Sequence, residues 1–289
     1  MTDFLQLTFA GVSVGAVYAL IAIGFVAIFT VSQVINLAQG EFAAMAGLFA
    51  ISATASGLPM VPAVILAVVS VAVVAVVMER VVIAPVRRMT TLTSIVLTLG
   101  VSTALKAALL LIYGPDAEGL TPFSEGLIDI GGVTIRAHEL WILAVAAVVC
   151  AAVYWFYERT LTGKSLRACA EQPVAARLVG ISLGRASLLS FLIAGVTGAI
   201  AGVLASPVTF TAWESGLTLG LKGFVAATLG GLVSMRGAII GGVVLGVLES
   251  LTAGYIDTGL RDAVAFLLLI VVLVVRPAGI FGAQVEARV

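Results

Sequence analysis

Four stretches of the chain, Leu7 to Ser32, Phe42 to Met78, Leu140 to Tyr157 and Ala186 to Trp213, contain no charged side chain. Polar positions gather in the short intervals between such apolar blocks. A helix needs about 20 apolar residues to cross a hydrocarbon core of about 30 Å, so the pattern predicts several crossing helices. A transmembrane barrel would instead alternate polar and apolar positions over segments of about ten residues, and the solid Val/Ala/Leu blocks do not. The expected fold is therefore an all-α membrane protein, a polytopic bundle in one transmembrane domain over 1–289. Predicted spans run over 7–31, 35–55, 60–78, 93–113, 139–157, 186–208, 217–235, 237–254 and 261–277. Gly230-Gly231 and Gly241-Gly242 interrupt two of them, so an eight-span version with a re-entrant piece near 217–235 is the alternative.

The distribution of charge orients this bundle. Glu79 to Leu92 holds Arg80, Arg87 and Arg88, and Glu158 to Arg185 holds Arg159, Lys164, Arg167, Arg177 and Arg185. Lys and Arg mark cytoplasmic loops. Gly114 to His138 carries Asp116, Glu118, Glu125 and Asp129 against Arg136, which places it outside. The amino terminus is then outside, and the carboxyl end, with Arg276 and Arg288, is inside. Met1-Thr2-Asp3-Phe4 lacks the positive charge of a signal peptide, so the first span is read as retained.

Composition adds exclusions. The chain is 61% hydrophobic and 10% charged, with 15 basic and 15 acidic residues. No basic tract suggests a nucleic-acid partner. Cys150 and Cys169 have no metal-ligand spacing, and no Ser/His/Asp set assembles around His138, the sole histidine, so no metal, cofactor or catalytic residue is expected. Small residues at spacing four, Gly11/Gly15, Gly198/Gly202, Gly237/Gly241 and Gly242/Gly246, suit close helix contact.

The informative polar residues are those inside the apolar blocks. An ionised side chain near the bilayer centre costs about 2.5 to 3.5 kcal/mol even on the lenient insertion scale, so Glu41, Lys106 and Lys222 should not face lipid. In Val34-Ile35-Asn36-Leu37-Ala38-Gln39-Gly40-Glu41-Phe42 two amides and a carboxylate flank a glycine that permits a break. One reading is a wetted cytoplasmic turn. The other is a discontinuous start to the second span, lining a solute path. "GEFAAMAG" at 40–47 echoes "KGFVAATLGG" at 222–231, with Phe42 on Phe224 and Ala44 on Ala226. An offset of five spans runs the two copies in opposite directions, as in the inverted repeats of transporters, whose path lies where the repeats meet. The repeats are expected at about 7–113 and 186–277. Asn36, Gln39, Glu41 and Lys222 are the candidate path residues.

The basic segment 158–185 contains Thr162-Gly163-Lys164-Ser165, but position 158 is glutamate where a phosphate loop needs glycine. Ala175, Ala176, Leu178, Val179 and Ile181 give the segment an apolar side, as a docking helix needs.

"ALIAIGFVAIFTVSQVINLAQGEFAAMAG" (19–47), "SLRACAEQPVAARLVGI" (165–181), "GFVAATLGGLVSMRGAIIGGVVLGVLES" (223–250) and "LLLIVVLVVRPAGIFG" (267–282) together resemble the permease subunits of branched-chain amino acid ABC importers, the shorter of the two paired permeases. The resemblance covers nearly the whole chain. It implies a non-catalytic subunit of a bacterial inner-membrane importer, paired with a homologous permease, seated on two ATPase subunits and fed by a periplasmic solute-binding protein, with membrane lipid around it. Val174 to Gly180 is similar to the alanine-alanine-three-residue-glycine pattern by which ABC permeases dock, although Val174 replaces the usual glutamate. Arg167, Glu171, Ala175, Ala176 and Gly180 are then the docking residues. Amino-acid members tend to carry "INFAHGE" where this chain has Ile35 to Glu41, with Gln39 in the histidine's place. The solute is accordingly left open among branched-chain and other amino acids, urea, amides and small organic acids. The rival reading is a stand-alone secondary transporter or channel using Glu41 and Lys222 for ion coupling.

Overall fold

A computed structural model describes residues 2–86, 90–276 and 278–281. Arg87, Arg88, Pro277 and Arg288 lie outside the described residues. The chain forms α1 (Thr2–Ser32), α2 (Gln39–Ala55), α3 (Met60–Met78), α4 (Thr91–Tyr113), a hairpin of β1 (Leu127–Ile130) and β2 (Val133–Arg136), α5 (Ala137–Arg159), α6 (Leu161–Glu171), α7 (Pro173–Leu178), α8 (Leu183–Thr209), α9 (Ser215–Gly230), α10 (Met235–Tyr255) and α11 (Arg261–Val275). A five-residue π segment, Glu79–Ile83, continues α3. Among the described residues, seven helical segments are long and apolar enough to cross a membrane: Thr2–Ser32, Met60–Ile83, Thr91–Tyr113, Ala137–Arg159, Leu183–Thr209, Met235–Tyr255 and Thr258–Val275. The protein is a multi-pass, all-α membrane protein.

Two helices fall short of that length. α2 has 17 residues and α9 has 16, about 25 Å each at 1.5 Å per residue. Residues 35–38, expected as helix, are not helical, and α9 stops at Gly230 where 235 was expected. Gly231, at φ 100°, turns the chain there in a backbone conformation that a larger residue adopts only with strain.

α1 and α8 form the buried centre. α1 packs against α10, α8, α9 and α5, while α8 packs against α2 and α3. The seams are made of the small residues that the sequence spaces by four. Gly11 and Gly15 of α1 lie against Gly246, Val247, Gly242 and Val243 of α10; Gly202 of α8 abuts Ala43 of α2; Gly241 of α10 abuts Ala226 of α9. Lipid tails are as apolar as leucine, so such helices associate through close van der Waals contact, and glycine lets the backbones approach. α4, α5 and α11 are instead largely uncovered by the rest of the chain.

The hairpin was not expected from the sequence. Gly131 and Gly132, at φ 64° and 86°, supply the two left-handed positions of a tight two-residue turn. Ile128 pairs with Ile135 across it. Four-residue strands inside a polar loop leave too short an alternation to stand out beside the helical blocks.

Candidate functional site

After α1 the chain turns at Gln33, at φ 55°, and runs back beside the bundle before α2 begins. The returning strand is fastened to α4. Thr98 Oγ1 accepts from Leu37 N at 3.1 Å, and its proton is shared between Ile35 O at 3.0 Å and Ser94 O of its own helix at 2.8 Å. Asn36 Oδ1 accepts from Ala38 N at 3.1 Å, the local turn by which an Asx side chain replaces a backbone partner. α2 therefore starts beside the interior turns of α1 and α8. Gln39 lies against Gly24 and Gly198 and donates from Nε2 to Ala194 O at 2.9 Å.

α2 and α9 meet at their amino-terminal ends. Gly40 abuts the carbonyl of Gly216 and the backbone of Gly220, so neither chain has room for a side chain between them. Glu41, wholly buried, reaches from the first turn of α2 to Gly216 in the first turn of α9. Unsatisfied amides and the macrodipole make each helix amino terminus electropositive. A carboxylate at the meeting point of two such ends is well placed, and Glu41 Oε1 also accepts from Ser102 Oγ of α4 at 2.8 Å. Lys106, one turn beyond Ser102, stands over the Trp213 ring at 5.6 Å. Three polar atoms here have no partner among the described residues: Asn36 Nδ2, Gln39 Oε1 and Glu41 Oε2. Buried polar atoms are nearly always paired, so this junction holds one donor and two acceptors in reserve.

Lys222 belongs to a second cluster. Its Nζ lies 3.2 Å from Glu249 of α10 and 2.8 Å from Asp262 of α11. It also stands over the Tyr18 ring at 5.6 Å, and Tyr18 donates to Glu249 Oε2 at 2.8 Å. Tyr18 borders an open cavity of about 620 Å³ between α1, the hairpin, α5 and α8, with Arg136, Glu139 and Arg261 along its walls. The four path candidates thus divide into a trio at the α2–α9 junction and a lysine tied to α10 and α11. Tyr18, Ser102, Glu249 and Asp262 escaped the sequence reading. Glu249 carried a usable signal, since it is the one carboxylate inside the apolar run 237–254 and meets the same energetic objection as Lys222.

The segment 158–185 folds into α6 and α7. Leu166, Cys169 and Ala176 pack inward, and Arg167 is tied to Glu158 at 3.0 Å. Ala175 and Glu171 are exposed, and Val174, Leu178 and Val179 are 74%, 84% and 76% exposed. Gly180 follows at φ 84° with open space around it. Of the docking candidates, Ala176 faces the bundle while Ala175, Glu171 and Gly180 face outward.

Comparison with known proteins agrees with this architecture. The family described as branched-chain amino acid transport system / permease component matches residues 7–273. The chain belongs to that permease family. It is 34% identical to the high-affinity branched-chain amino acid transport system permease protein LivH of Salmonella typhimurium over 296 residues, covering 96% of each chain. LivH of Escherichia coli K12 is 33% identical with the same coverage, and BraD of Pseudomonas aeruginosa is 32% identical over 295 residues. A chain of PsaBC from Streptococcus pneumoniae in complex with Fab shares the fold, with a TM-score of 0.54 at 10% identity over 95% of this chain and 92% of that one. Within the branched-chain permease family, the match spans both the α2–α9 junction and the α6–α7 segment.

Proposed function

We propose that this permease forms half of the translocation pathway of a bacterial inner-membrane ABC importer for branched-chain or other amino acids. Two ATPase subunits dock from the cytoplasm, a second, homologous permease completes the pathway, and a periplasmic binding protein delivers the solute. The observation that carries the reading is the short helix α7, which holds Val174, Leu178 and Val179 out to solvent ahead of Gly180. A loop that merely contacted water would gain nothing from three exposed aliphatic side chains, whereas a docked partner would cover them. Glu171, Ala175 and Gly180 complete the docking face, Ala176 anchors it to the bundle, and Arg167, half-buried and tied to Glu158, braces it from behind.

α1–α4 and α8–α11 are read as inverted repeats. Each has a long buried first helix and a short second one, and the packing of α1 on α10 and α9 mirrors that of α8 on α3 and α2. Nine crossings result if α2 and α9 count as the short elements of the two repeats, with the amino terminus outside and the carboxyl end in the cytoplasm. Broken or shortened helices that direct their amino termini at one point are a recurring transporter device, and the solute path runs where the repeats meet. Asn36, Gln39 and Glu41 supply polar atoms to that path from α2, and Lys222 contributes through the α10–α11 cluster. The repeats rock about this point as the ATPases move α6 and α7.

The test couples uptake to docking. Cells carrying the whole transport system take up labelled leucine, and the ATPase copurifies with the permease. Leu178→Glu, at an exposed position, is expected to abolish both while leaving the purified permease folded. Unchanged uptake with the ATPase absent would instead establish a stand-alone transporter. Orientation is checked separately. A cysteine introduced at exposed Glu125 should react with an impermeant thiol reagent from the periplasmic side, and labelling from the cytoplasmic side alone would invert the topology.

A further inference from the structure

We propose that a pocket at the α6–α7 end of the bundle binds the phosphate group of an acidic lipid headgroup. The pocket, about 340 Å³, lies between the end of α5, α6 and the start of α10. Three observations point to an anion. First, Arg167 and Arg236 both line it, against one carboxylate, Glu158, which Arg167 already holds at 3.0 Å. Arg236 is left with only the Tyr154 hydroxyl and ring as described partners, so its guanidinium charge has no counter-ion among the described residues. Second, Tyr157 lines the same pocket, is 4% exposed, and its hydroxyl has no hydrogen-bond partner among the described residues. A buried hydroxyl without a partner loses the water it had before folding; this one is closed off from solvent, so it gains an oxygen acceptor when the ring turns toward the pocket.

Third, α10 begins there. Ser234 Oγ accepts from Gly237 N at 3.1 Å, which leaves the amides of Met235 and Arg236 as first-turn donors without an intrahelical acceptor. Guanidinium groups beside a helix amino terminus, with a tyrosine hydroxyl just behind the wall, are the donor set that phosphate takes.

The surroundings favour a lipid over a free ion. Val233 and Phe281, on the pocket wall, are 51% and 48% exposed, and Trp155 on the adjoining α5 is 60% exposed. An amphiphile would lay its chains along these apolar groups with its phosphate among the arginines, in the manner of basic pockets between helix ends. The site is separate from the α2–α9 junction and needs no solute to be present.

The test uses the full-length permease purified in detergent and titrated with dioctanoyl phosphatidylglycerol, dioctanoyl phosphatidylcholine and inorganic phosphate. Phosphatidylglycerol is expected to bind saturably and more tightly than phosphatidylcholine, and to weaken about tenfold in both Arg236→Gln and Tyr157→Phe, the size of a lost hydrogen bond to a charged group. If inorganic phosphate binds with the same loss in both variants, the pocket is a phosphate site whose source is the free ion, and the lipid assignment falls. Equal binding of the two lipids, or phosphatidylglycerol binding unchanged in both variants, overturns the proposal altogether. Should Tyr157→Phe fail to fold, Arg236→Gln decides alone, because Arg236 is exposed.

Discussion

Gly40→Leu is expected to leave no transport-competent permease. A side chain at position 40 would meet the Gly216 carbonyl and the Gly220 backbone, main-chain atoms that no rotamer change can move aside. Overpacking a tight interior costs about 1 to 3 kcal/mol when side chains can yield, and here α2 and α9 must separate. The effect should lie at the upper end of that range or beyond it. Separation would also pull Glu41 from the α9 amino terminus and leave its charge buried without that field. Gly40→Ala should already lower the melting temperature and uptake, with leucine extending both. Gly100 of α4 is the control, since nothing lies within 4 Å of a side chain there. Gly100→Ala should be neutral or stabilising by up to about 1 kcal/mol, as for any exposed helical glycine. If Gly40→Leu and Gly100→Leu melt and transport alike, the meeting of the two short helices is wrong.

The second large effect is at Lys222. Lys222→Met removes the cation beside Glu249, a fully buried carboxylate that also accepts from the Tyr18 hydroxyl. Stripping one partner from a buried pair costs about 3 to 5 kcal/mol, because the other charge stays behind unpaired. Asp262, with its side chain 59% exposed, adds little to that sum. Lys222→Met should therefore melt well below the parent protein, and Lys222→Met combined with Glu249→Gln should recover most of the loss, since glutamine still accepts from Tyr18. A double-mutant cycle read by thermal unfolding of the purified permease measures this directly. Equal melting of the single and double variants would mean that the pair carries no ionic interaction and does not tie α9, α10 and α11 together.

These two sites differ in how visible they are before folding. Glu41 and Lys222 stand out because an ion in an apolar run has few acceptable places. Asn36, Gln39 and Glu41 are close in sequence, so one turn of chain brings them together. The cost of an ion in an apolar run, together with the 40–47 and 222–231 echo, groups Lys222 with them, and the fold sets it beside Glu249, Asp262 and Tyr18, which come from three other helices. Ser102 and Thr98 were unreadable for a related reason. Hydroxyls in membrane helices usually bond their own preceding turn, as Thr103 does to Leu99 O, and only the returning strand 33–38 reveals that this face of α4 has a different task. The apolar side of the 158–185 segment is legible in the sequence, yet which alanine faces outward depends on how α7 rolls: Ala175 is exposed and Ala176 is buried.

Hydrophobicity is a local property, so the order of residues suffices to reveal a helical membrane protein and to bound its apolar helices to within about five residues, and spacing marks some of the close glycines, Gly11 and Gly15 among them, while Gly40 reads only as a break. The order of residues also carried the resemblance to branched-chain amino acid permeases. That α2 and α9 are short helices crossing near their amino-terminal ends, that Glu41 sits where those positive ends meet, and that Lys222 answers to Glu249 emerges only once the helices are packed. Those outcomes depend on distances between segments far apart in the chain. The cost of an unpaired charge requires a partner without specifying which helix supplies it.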